Sequence, residues 1–254
     1  MSFIRTVGAK ALNAFTDIRE LLKLSKEVIN SLIYERNVGS RVVRKTRIAQ
    51  VYFTAVQPVP LIILIGFIIG YTSVLGARSV GAQQLGSIFL PLLVLELGPI
   101  IAAFIVLGRT GGAVTVEIGN MVVAGEISAL KMLGINPVRH IVWPRLVGIS
   151  VATSCLSVIL NATLLCAGAL AAPRIDVYLN QLLGALSLGH LIYAPFKAFC
   201  FGVLIALIAC HNGFSLPPLL NEVPKANIRT FIGSIWNCIL CNMFLVATYY
   251  WWVT

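Results

Sequence analysis

The chain has 254 residues, 58% of them hydrophobic and only 11% charged, with a mean hydropathy of +0.92. A soluble domain carries about 25% charged residues, so a soluble globular fold is excluded and the chain reads as an integral membrane protein. The net charge of +10 is no sign of nucleic acid, because ten of the nineteen Lys and Arg lie within residues 1–50, beside the first apolar run, as the positive-inside pattern requires.

Residues 12–33 predict an amphipathic helix. Leu12, Phe15, Ile18, Leu21, Leu22, Ile29, Leu32 and Ile33 recur at helical spacing, with Arg19, Glu20, Lys23, Lys26 and Glu27 on much of the opposite face. With no soluble core to pack on, this helix is expected to lie along the membrane surface. The cluster Arg36, Arg41, Arg44, Lys45 and Arg47 would sit at anionic headgroups. The first 30 residues lack the short apolar core and small-residue site of a cleavable signal, so insertion is expected to depend on the first span.

Five runs are long enough to cross a hydrocarbon core of about 30 Å as helices, which makes the expected fold all-α. They are residues 50–75, 87–107, 146–172, 191–210 and 230–252. Gln57-Pro58-Val59-Pro60 predicts a kink or a broken start in the first, since prolines remove helix amides. Gly66 and Gly70 form a GxxxG that suits close helix packing. The fifth run ends in Tyr249, Tyr250, Trp251 and Trp252, an interfacial aromatic belt. The chain is a single membrane domain with no repeat. The loops at 76–86 and 173–189 hold only Arg78 and Arg174, whereas residues 1–50, 108–145 and 211–229 hold sixteen Lys and Arg. This predicts a cytoplasmic N-terminus and an external C-terminus.

The connection from 108 to 145 stands apart. Gly108-Arg109-Thr110-Gly111-Gly112 reads as a hinge. After it, residues 112–137 are too polar to span a bilayer but patterned like helices, and Glu117, Glu126, Lys131 and Met132 are candidates for contact with something outside the membrane. GRTGG lacks the GK[ST] ending of a phosphate loop. No catalytic set or metal cluster is apparent, so any ATP chemistry must come from another chain. The six cysteines lie in or at the ends of apolar runs and read as small apolar residues.

Glu96 and Lys197 are ionisable groups well inside spans, where a central charge costs about 2.5–3.5 kcal/mol. They could line a polar cavity on a substrate path, pair with each other, or be satisfied separately, Glu96 by a neighbouring helix and Lys197 by snorkelling to an interface.

Segment 95–145 resembles the MlaE/YrbE permease family, the membrane subunits of ABC transporters that work with MCE-domain lipid carriers. The matching residues are Glu96-Leu97-Gly98-Pro99, Gly108-Arg109, Gly112, Glu117-Ile118-Gly119, Met121, Ile127, Ala129-Leu130, Met132, Gly134-Ile135, Pro137 and Pro144-Arg145. A weaker likeness runs on through Lys197 and Asn212-Gly213. The resemblance implies a homodimer in a bacterial inner membrane, with a periplasmic C-terminus. A cytoplasmic ABC ATPase holding ATP and Mg would sit beneath it, and a periplasmic MCE protein above. Phospholipid would be the cargo and residues 112–137 the coupling element. Two stretches depart from the pattern. Gly125-Glu126 stands where a Glu-Gln pair is usual, turning the acid by about 100° on a helix, and Leu216–Asn227 replaces a glycine-rich stretch. An ATP-independent secondary transporter or channel is the alternative. The lack of an inverted repeat argues against it.

Overall fold

The computed structural model describes residues 52–79 and 90–253. The predicted surface helix at 12–33, the basic cluster after it and most of the 76–86 loop lie outside them. Among the described residues every regular element is helical. Five helices are long and apolar enough to cross a membrane: Thr54–Ala77, Leu90–Val123, Val138–Ala171, Gly189–Phe214 and Val223–Tyr249.

The first crossing starts with a π-helical turn, Tyr52–Val56, followed by a turn at Gln57-Pro58 and then helix α1, Val59–Ser79. The irregular start expected from the two prolines is therefore present. The second crossing is one helix of 34 residues, Leu90–Val123. It contains α2, Gly98–Val106, and α3, Gly112–Val123, with π turns at Leu93–Leu97 and Leu107–Gly111. Of the glycines read as a hinge, Gly108 and Gly111 lie in this second π turn and Gly112 begins α3. The backbone stays right-handed through Leu107, Gly111 and Gly112, so the helix does not break there.

The chain turns sharply only afterwards. Gly125 has φ 74° and separates α3 from α4, Glu126–Met132. Gly134, φ 73°, ends α4 in a Schellman motif: its amide bonds Lys131 O and the Ile135 amide bonds Leu130 O, both at 3.0 Å. Both glycines sit where a side chain would strain the backbone. Glu126 begins α4 and Lys131 ends it, which suits the helix dipole at both ends.

The third crossing joins a π turn at Val138–Val142 to α5, Trp143–Ala171, with Pro144, which cannot donate an amide, just after that turn. The 173–189 stretch, expected as a connection, holds an 11-residue helix, α6, Ile175–Ala185. Its Tyr178 is buried and donates to Leu165 O at 3.1 Å. Helix α7, Leu188–Phe214, opens with a capping box in which the Ser187 hydroxyl accepts from the His190 amide and His190 Nδ1 accepts from the Ser187 amide. Helix α8, Val223–Val253, follows a single 3-10 turn at Leu220–Glu222. The fourth and fifth helices thus reach well into the 211–229 stretch, leaving a short turn between them.

Helix α5 lies at the centre, packed on α1, α2 and α7. Between lipid-embedded helices, small residues let backbones approach, because lipid tails are as apolar as leucine. A Cβ on Gly66 would lie 2.2 Å from Thr163 Oγ1, one on Gly70 2.1 Å from Leu164 O, and one on Gly202 2.6 Å from Ser150 Cα. The GxxxG of α1 therefore packs on α5 within the same chain. Facing outward are Leu64, Phe67 and Ile68 of α1 and Trp236, Leu240, Met243 and Phe244 of α8. All six cysteines are free thiols. Cys238 and Cys241 do have a CxxC spacing, but within α8 and with Cys238 buried in the core.

Candidate functional site

Glu96 sits in the π turn Leu93–Leu97, where an extra residue per turn rotates side chains away from their α-helical directions. Lys197 lies on α7, two residues beyond Pro195. Pro195 cannot donate an amide, and its carbonyl accepts from Ser154 Oγ of α5 at 2.8 Å. The structure brings the two charges together: Lys197 Nζ is 2.6 Å from Glu96 Oε2. The Lys197 side chain is 0% exposed and that of Glu96 20%. Asn242 of α8 donates to the same Oε2 at 3.3 Å. Three helices thus converge on one carboxylate in otherwise apolar surroundings.

Ion pairing in such a place is poor evidence of stabilisation, because desolvating two charges offsets most of their attraction. Intramembrane ionisable groups mark function more often than they add stability. Chemically, the cluster offers an ammonium with three donors, a carboxylate and a carboxamide within one small polar patch.

A second polar region lies at the end of the bundle that carries α4. Arg109, within the π turn, donates to Gln57 Oε1 at the irregular start of the first crossing. Thr115 Oγ1 lies within hydrogen-bonding distance of Gly111 O, Ala209 O and Thr230 Oγ1, at 3.1, 3.2 and 2.9 Å, and Asn212 Nδ2 donates to Thr230 Oγ1 at 3.0 Å. Thr115 and Thr230 are fully buried. Gly112 leaves room for Asn227, whose Oδ1 would be 2.5 Å from a Cβ there, while a Cβ on Gly111 would meet Leu107 at 3.0 Å; Gly108 faces open space apart from Phe231. These contacts tie α3 to α7 and α8.

Glu117 does not point freely outward. It pairs with Arg145 at the start of α5 at 2.6 Å, its own side chain 55% exposed and that of Arg145 only 5%. The pair closes the neck of the segment that carries α4. At the far tip, Glu126, Lys131 and Met132 are exposed, Met132 at 82% and its neighbour Leu133 at 74%. Glu222, beyond the membrane spans, bonds Lys225 and lies near Arg229. The hydrogen bond from Lys225 holds its carboxyl below the usual carboxylate range, helped by the charges of both bases.

Asn242 and Asn161 were not singled out from the sequence, and Arg145 entered only as a residue of the family resemblance. Asn161 of α5 donates to Val94 O at 3.2 Å. Both asparagines interrupt apolar runs, and the cost argument applied to Glu96 and Lys197 would have found them. The Glu117–Arg145 contact has no signal in local spacing.

The family profile described as "Permease MlaE" matches residues 47–248. Among curated relatives, the intermembrane phospholipid transport system permease protein MlaE of Haemophilus influenzae is 27% identical over 248 residues, covering 91% of each chain. A probable ABC transporter permease protein of Rickettsia typhi is 26% identical over 252 residues, 95% of this chain and 91% of its own. One from Synechocystis is 28% identical over 155 residues, 59% of each chain. With a profile match spanning all five membrane helices and both polar regions, the chain belongs to the MlaE permease family.

Proposed function

We propose that the chain is the permease subunit of an ATP-driven ABC transporter that moves phospholipid between the inner membrane and a periplasmic MCE-type carrier. The observation that carries this reading is the hydrogen-bonded Glu96–Lys197 pair, held within two membrane helices where a merely structural helix would be apolar. A phospholipid has two parts, and the protein offers both chemistries. Apolar helix faces suit the acyl chains. The Glu96–Lys197–Asn242 patch suits a headgroup carrying a phosphate and a cation, with Lys197 free to trade Glu96 for phosphate. Family membership and the relatives' names support this reading.

In it, the chain works as a homodimer with cytoplasmic ABC ATPases holding ATP and Mg. The α4 end faces them, and the C-terminus is periplasmic. The exposed Met132–Leu133 tip, flanked by Glu126 and Lys131, is the surface the ATPase would grip, and the long second helix carries the motion inward as a rigid body. The test is transfer of labelled phospholipid between proteoliposomes holding the chain with its ATPase and the carrier. ATP-dependent transfer that is lost in Lys197→Met and Glu96→Gln, with assembly intact, supports the proposal. Flux by the chain alone, driven by a proton or sodium gradient, would favour the ATP-independent alternative.

A further inference from the structure

The turn that holds Glu96 has a backbone problem. In a regular α-helix the Gly98 amide would bond Val94 O. Here it bonds Leu93 O instead, the widened pattern of a π turn. In that pattern the donor for Val94 O would come from residue 99, which is proline and has no N–H. Val94 is fully buried among apolar groups, out of reach of bulk solvent. Yet buried backbone carbonyls are rarely left without a donor.

Asn161 supplies one. From α5 it donates Nδ2 to Val94 O at 3.2 Å. It is itself 7% exposed. The residue opposite it is fitted to this position: a Cβ on Gly98 would lie 2.0 Å from Asn161 Oδ1 and 2.8 Å from its Cγ. Gly98 is therefore the residue that lets the carboxamide reach the orphaned carbonyl. That Oδ1 has no hydrogen-bond partner among the described residues, so the side chain is placed for its donor and not for its acceptor.

From Asn161, Gly98 and Pro99 together, we infer that Asn161 is a positioning residue for the charged pair: it holds the π turn open and thereby aims Glu96 at Lys197. Pro99 leaves one buried carbonyl without its helical donor in either pattern, Val94 O in the π turn and Leu95 O in a regular α-helix. Asn161 serves the first, so it tips the balance to the π turn; without it that bias is lost and the Glu96 side chain is no longer held toward α7. The transport role of the pair rests on the proposal above, but the aiming of Glu96 does not.

The experiment reads the aim directly. A membrane-permeant carbodiimide, dicyclohexylcarbodiimide, is applied to the purified full-length chain in lipid nanodiscs, and the zero-length Glu96–Lys197 crosslink is quantified by mass spectrometry. The wild type should give it. Asn161→Leu should lower its yield at least about twofold, since an unserved buried carbonyl shifts the equilibrium by roughly 5- to 150-fold. Gly98→Ala, which keeps Asn161 but denies it room, should do the same. Ala162→Leu, at an exposed neighbour on α5, should leave the yield unchanged. A folded Asn161→Leu protein with wild-type yield overturns the inference. If that variant does not fold, Gly98→Ala decides in the same way. If neither folds, dipolar coupling between a 13C-labelled Val94 carbonyl and the Asn161 side-chain 15N in the wild type decides, its absence overturning the inference. ATP-dependent lipid transfer is measured in parallel. A wild type that crosslinks but never transports lipid defeats the functional reading and leaves the positioning role standing.

Discussion

The Glu117–Arg145 pair is lopsided, and the lopsidedness makes a sharp prediction. Glu117→Gln removes the carboxylate and leaves a guanidinium whose side chain is only 5% exposed, with Nη1 already lacking an acceptor among the described residues. Stranding a buried charge costs about 3–5 kcal/mol. Arg145→Met does the reverse. It leaves Glu117, 55% exposed, for water to solvate, so the loss is closer to that of a surface pair, about 0–1 kcal/mol. Methionine also fills much of the space taken by the arginine's aliphatic stem. For a chain of this size about 1 kcal/mol moves Tm by roughly 2–4 °C. Glu117→Gln should therefore unfold roughly 6–20 °C below the wild type and Arg145→Met no more than about 4 °C below, by thermal unfolding in one detergent. The double variant should match Arg145→Met, because the stranded charge is gone. An Arg145→Met protein as unstable as Glu117→Gln would refute the reasoning. Loss of ATPase binding in a stable double variant would return Glu117 to the role of a direct partner contact.

Gly70→Ala should destabilise by about 1–3 kcal/mol through overpacking, since its Cβ would meet Leu164 O, a backbone atom, at 2.1 Å, whereas Gly76→Ala, with nothing within 4 Å, should not destabilise; thermal unfolding of the two compares them. Met132→Ser with Leu133→Ser, at the exposed tip of α4, should leave Tm within about 2 °C while lowering ATPase co-purification at least about tenfold, if the tip is the docking surface. Because the folded-state pKa of Glu222 is depressed, its contacts with Lys225 and Arg229 stabilise the turn above the ordinary carboxylate range. They are lost as pH falls through the depressed folded value. Glu222→Gln should remove that acid limb from a plot of proteolytic nicking at this turn against pH.

The five crossings were legible because each is a long, mostly apolar run, and in a bilayer such a run has few alternatives to a helix. Composition also revealed Glu96 and Lys197, since a charge there is conspicuous. Their pairing was not legible, because they are 101 positions apart and packing alone decides which helix faces meet. The glycines at 108–112 read as a break because glycine weakens helices. Within a bundle, Gly112 instead makes room for Asn227, and tertiary packing overrides propensity. Nor do π turns announce themselves by period, although Gly98-Pro99 next to an acid was a local clue. Helix α6 was hidden by its place between spans, although Ile175, Tyr178, Leu179, Leu182 and Leu183 repeat at helical spacing. Glu117 was noticed for its charge and assigned outward. Only the fold shows Arg145, buried under the start of α5, as its partner.

The unbroken second helix has a mechanical consequence. At 1.5 Å per residue its 34 residues make a rod of about 51 Å, against a hydrocarbon thickness of about 30 Å. The charged pair lies near one end of this rod, and the turn into α4 hangs from the other. Pivoting by about 5° at Gly98, the rod would sweep its Val123 end through about 3 Å. Run in reverse under the proposed coupling, this would be a gear: a wide, weak push at the α4 end would arrive at the buried carboxylate as a small, forceful rotation.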